Sequence, residues 1–125
     1  MCLNLILVAV GSALGGVLRY LVSIGLATQR GFPWATLSVN VVGSFLIGFL
    51  SGLIARHCGG NGEGIRLFAV VGFCGGFTTF STFSNETFRL IEGSQWLSAA
   101  VYVGVSVLAG LAAVFLGYLV SSKVI

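Results

Sequence analysis

The chain has 125 residues, of which 57% are apolar types, 19 are glycine and only 7% carry charge. A soluble domain carries roughly 25% charged residues, so a soluble enzyme, a disordered chain and a collagen-like repeat are all excluded. The net charge of +3 comes from six scattered basic residues, no two adjacent, which excludes a basic patch for nucleic acid.

A membrane-crossing helix needs about 20 apolar residues. Four segments qualify, at about 3–27, 34–55, 67–90 and 96–121. They predict an all-α integral membrane protein, with residues 1–125 forming a single four-helix transmembrane domain. A β-barrel would need alternating strands of about ten residues, and these runs are continuously apolar.

The first segment lacks a basic region before its apolar run, and Arg19 follows that run instead of preceding it. It reads as a retained helix and not a cleaved signal. Arg19 either lines a vestibule that attracts anions or snorkels to the interface. Pro33 suits the start of the second helix.

Along the second segment Asn40, Ser44, Gly48 and Gly52 recur every four residues, which places them on one helix face. Ser44, Gly48 and Gly52 read as small residues that admit a neighbouring helix. Asn40 is different, because a buried amide in lipid must find partners. It is either interhelical glue or an anion ligand. The connection at 56–66 contains a glycine-rich stretch, 59–64, that reads as a flexible, water-exposed loop.

The third segment is the poorest helix sequence. Gly75-Gly76 followed by Thr78-Thr79 predicts a break within the membrane. Broken membrane helices are tolerated where they are buried or line a cavity. Freed carbonyls there suit a cation, and freed N–H groups suit an anion. A glycine-lubricated kink is the plainer alternative. Phe80 and Phe83 share a helix face. Aromatic ring edges are electropositive, so two of them could hold a small anion weakly enough to release it. Packing is the ordinary role for such a pair. Glu86 is the one acid placed near the membrane interior, with Glu63 and Glu92 expected in loops. It is either a proton-coupling carboxylate or the partner of Arg89 in a local ion pair.

The fourth segment carries Tyr102 and Ser106 four residues apart, with Gly110 beyond them, as a hydroxyl track. Interhelical hydrogen bonding is the simple reading. Three cysteines without CxxC spacing argue against a zinc site or a disulfide framework. His57 stands alone in a connection, and there is no nucleophile motif, P-loop or paired carboxylate, so the chain reads as a non-enzyme.

Four helices place both termini on one side, with Arg56, Arg66 and Lys123. Arg19, Arg30 and Arg89 fall on the other. Three against three gives the positive-inside rule nothing to act on. Either orientation is fixed by some other feature, or copies insert both ways and pair as an inverted dimer.

The run Gly75-Gly76-Phe77-Thr78-Thr79-Phe80-Ser81-Thr82-Phe83-Ser84 resembles the signature of the Fluc (CrcB-type) microbial fluoride channels. The stretch from Thr36 to Gly43 is similar to that family's second-helix motif. Gly11 with Gly15-Gly16-Val17-Leu18-Arg19-Tyr20 is similar to its first-helix motif. The resemblance covers nearly the whole chain and departs from it at Ala35, where the family usually has glycine. It implies a passive channel exporting cytoplasmic fluoride across the cell inner membrane, built as an antiparallel homodimer with two pores. It implies that Asn40, Phe80 and Phe83 contact fluoride, that Thr82, Tyr102, Ser106 and Glu86 belong to the pore, and that Arg19 borders the vestibule. It also implies a structural sodium ion (Na+) on the dimer axis, held by the carbonyls of Gly75 and Thr78. The alternative class is a proton-coupled exporter of the small multidrug resistance type. That mechanism needs a carboxylate deep in the first helix, and the first acid here is Glu63.

Overall fold

The computed structural model describes residues 1–26 and 31–124. Every regular element among them is helical. The elements are α1 (Cys2–Gly25), α2 (Trp34–His57), a 3-10 turn (Gly59–Asn61), α3 (Glu63–Ile65), a π-helical segment (Arg66–Cys74), α4 (Gly75–Phe77), α5 (Phe80–Glu92) and α6 (Trp96–Ser121). Four stretches are long and apolar enough to cross a membrane: Cys2–Gly25, Trp34–His57, Gly59–Glu92 and Trp96–Ser121.

Several expectations need adjusting. The 59–64 stretch is a 3-10 turn leading into α3 and not an irregular loop. Arg56 and His57 form the last turn of α2, where the Arg56 cation complements the helix dipole. Glu63 opens α3 and Glu92 closes α5, so neither sits in a loop. Pro33 is the N-cap of α2, one position before the helix begins. The far end of the first expected span, at Ala27, and the basic residue Arg30 lie outside the described residues.

Close backbone approach at glycine organises the bundle. α1 packs on the π-helical segment and α4, and α2 packs on α6. In α1 only Gly11 and Gly15 are buried. A methyl group on Gly11 would strike the Phe68 carbonyl, and one on Gly15 would strike the Phe73 carbonyl. Opposite them, Gly72 faces Val8 and Gly11, and Gly76 faces Ser12. The second pair uses the same device, with Gly48 against Val114, and Gly117 against Phe45 and Phe49. Small residues at four-residue spacing give helices this proximity in lipid, where no hydrophobic force draws them together. Elsewhere α1 exposes Leu3, Ile6, Val10, Leu14, Val17 and Leu21, an apolar surface on the single chain.

The third span is not one continuous α-helix. After the π-helical segment and the single turn of α4, Thr78 (φ −88°, ψ 160°) and Thr79 (φ −153°, ψ 123°) are extended. Helical geometry resumes at Phe80. The Thr79 hydroxyl oxygen caps α5 by accepting from the Thr82 N–H at 3.2 Å.

Candidate functional site

The extended step at Thr78–Thr79 leaves backbone groups without helical partners, and each needs a partner from elsewhere. Asn40, on α2, satisfies both groups of Thr79. Its Nδ2 donates to the Thr79 carbonyl at 3.1 Å, and its Oδ1 accepts from the Thr79 N–H at 2.8 Å. Its second N–H remains available. Arg19, half-buried on α1, donates from Nε to the Gly76 carbonyl at 3.0 Å. The Thr78 N–H and hydroxyl both donate to the Cys74 carbonyl, at 3.0 and 2.9 Å. Because the Thr79 N–H goes to Asn40, the carbonyl of exposed Gly75 loses the donor that a continuing helix would supply.

Beside this step lies a cavity of about 280 Å³, bordered by Asn40, Ser44, Ile47, Thr78, Thr79, Phe80, Phe83, Ser106 and Val107. The N-terminal end of α5 opens onto it. The rings of Phe80 and Phe83 lie 5.9 Å apart and tilted at 47°. Phe80 is 78% exposed on a single chain. The hydroxyl of Ser106 is fully buried and has no hydrogen-bond partner, an expensive state unless something visits it. No lysine or arginine borders this cavity.

The structure therefore brings Asn40, Phe80, Phe83 and Ser106 together. Thr82 and Glu86 line a different cavity of about 420 Å³, with Thr36 and Arg89. Arg19 lines a third, of about 330 Å³, with Thr36, Thr79 and Thr82. Tyr102 lines none of the three. It is wholly buried, its ring 5.0 Å from that of Phe83, and its hydroxyl donates to Glu86 Oε1 at 3.2 Å. The local pair considered for Glu86 and Arg89 is not made. The salt bridge among the described residues joins Arg66 to Glu63 at 2.9 Å. Thr79 as the partner of Asn40, and Ser44 as a cavity residue, went unassigned in the sequence. The four-residue spacing from Asn40 to Ser44 was the available signal for the second.

Four apolar spans, three of which border a polar-aromatic cavity, define a multi-pass membrane protein of the transporting kind. The model of the CrcB-like family (camphor resistance, CrcB) matches residues 6–118. Among relatives, a protein of Nitrobacter winogradskyi named fluoride-specific ion channel FluC is 51% identical over 112 residues, covering 88% of each chain. Proteins of the same name from Rhizobium meliloti and Agrobacterium fabrum are 47% and 48% identical, covering 91% and 92% of this chain and 92% and 93% of their own. The chain belongs to the CrcB-like family.

Proposed function

We propose that this protein is a fluoride-selective ion channel through which cytoplasmic fluoride leaves down its electrochemical gradient. The observation that carries the reading is the 280 Å³ cavity, where an uncommitted Asn40 N–H, the orphaned Ser106 hydroxyl and two phenylalanines meet with no fixed cation. Donors replace the water that a small anion sheds. Electropositive ring edges hold the ion without trapping it. The step at Thr78–Thr79 acts as a mid-membrane break whose following helix turns its positive end toward the anion. Similarity to proteins named fluoride-specific ion channels supports the choice of ion.

Such a pore has a clear use. Hydrogen fluoride crosses lipid as a neutral weak acid and dissociates in a near-neutral cytoplasm, which traps the anion. A passive pore then lets a membrane potential, negative inside, expel it.

The working unit is an inverted homodimer with two pores. The balanced basic residues, and the exposure of Phe80 and Gly75 on one chain, support this arrangement. A structural sodium ion fits the same reading. Carbonyl oxygens are hard donors suited to a hard cation, and Gly75 and Thr78 of two copies would offer four. Bound there, the ion would hold the two copies together.

The test uses purified protein in potassium-fluoride-loaded liposomes with valinomycin and a fluoride electrode. Fluoride should leave and chloride should stay in matched vesicles. Equal chloride release, or fluoride release that requires a proton gradient, would falsify the reading.

A further inference from the structure

We propose that Ser44 is a further ion-contacting residue, a hydroxyl donor on the α2 wall that complements Ser106 on the α6 wall. The assignment rests on the fluoride-channel reading and deepens it. Five polar side chains border the cavity: Asn40, Ser44, Thr78, Thr79 and Ser106. Thr78 gives its hydroxyl proton to the Cys74 carbonyl at 2.9 Å. The Thr79 hydroxyl caps α5 through Thr82 and lies 3.4 Å from Ser81 Oγ. Asn40 commits its oxygen and one N–H to Thr79. Three donors are left for an ion: the second N–H of Asn40, the buried Ser106 hydroxyl and the hydroxyl of Ser44.

A serine inside a helix ordinarily returns its proton to the carbonyl one turn back. Ser84 does so to Phe80 at 3.0 Å, and Thr87 does so to Phe83 at 2.8 Å. Among the described residues Ser44 makes no such bond to Asn40, and it borders open space instead. Its neighbours on the same face behave differently, since Gly48 and Gly52 press directly on Val114 and Ser121 of α6. Ser44 has looser surroundings. A methyl group built on Gly110 would stand 3.7 Å from its Oγ, at ordinary contact distance. One helical turn separates Asn40 from Ser44, so an ion moving along α2 passes from amide to hydroxyl without losing its donor.

The experiment is fluoride efflux from liposomes carrying wild type, Ser44→Ala, and the double variant Ser44→Ala with Gly110→Ser. The second substitution returns a hydroxyl from α6 to the neighbourhood of position 44, since a carbon built on Gly110 stands 3.7 Å from the Ser44 Oγ. Ser44→Ala should slow efflux by about tenfold or more, as loss of a hydrogen bond to a charged group implies. It should elute from size exclusion at the wild-type position. The double variant should run at least about threefold faster than Ser44→Ala, the partial return expected of a hydroxyl placed slightly off its original site. Wild-type rates in Ser44→Ala overturn the assignment and leave the channel reading intact. A slow Ser44→Ala with no gain in the double variant, or with a shifted elution, also overturns it, because the loss is then one of packing. Fluoride retained by wild-type vesicles overturns both.

Discussion

At Asn40 one side chain meets two demands. Its carboxamide closes both hydrogen bonds of Thr79 and still faces the cavity. Aspartate keeps the acceptor, loses the donors and adds a negative charge beside the cavity proposed to carry fluoride. Asn40→Asp should therefore cut fluoride efflux by more than about a hundredfold, read with the fluoride electrode on protein that still elutes as wild type. Phe80→Ile and Phe83→Ile should each slow efflux while leaving assembly intact, and wild-type rates in both would remove the rings from the mechanism. The sequence left Asn40 open between glue and ligand, because an amide in lipid satisfies either description. It was silent on Thr79, since nothing in a Thr-Thr pair says whose N–H an asparagine 39 positions away will accept. Glu86 shows the same limit. Sequence spacing offered Arg89, whereas packing supplied Tyr102.

Helices were the most legible elements. Long, largely apolar runs locate α1, α2 and α6 to within about two residues, in keeping with the ordinary uncertainty of helix ends. The π-helical segment Arg66–Cys74 left no trace in composition, because its wider hydrogen-bond register is not encoded in residue type. It lies where Gly72 meets Gly11 and where Phe68 and Phe73 present carbonyls to the α1 glycines. Glycine content alone does not reveal which glycines matter. Gly15→Ala should lower the melting temperature in detergent, since the added methyl meets the Phe73 carbonyl, at a cost of about 1–3 kcal/mol. Gly104→Ala, inside α6 with nothing within 4 Å of the new carbon, should leave it unchanged or raise it. Equal shifts in the two variants would deny the α1 contact its special closeness.

Across the whole molecule, charge offers the membrane no preferred side. A cysteine at Gly60, in the exposed turn after α2 and in a background lacking Cys2, Cys58 and Cys74, should label from both faces of intact cells. Labelling from one face alone would reject inverted pairing. The four-span plan was readable from hydropathy, and the cavity was not, since it depends on α2, the third span and α6 approaching one another at glycine. The bond between Asn40 and Thr79 has a further consequence. On the proposed channel reading one carboxamide is both rivet and gatepost, so a filter there cannot be retuned at that residue without loosening the frame that holds it. On the same reading, drift toward another halide runs through the benzene rings and the serine hydroxyls that border the cavity.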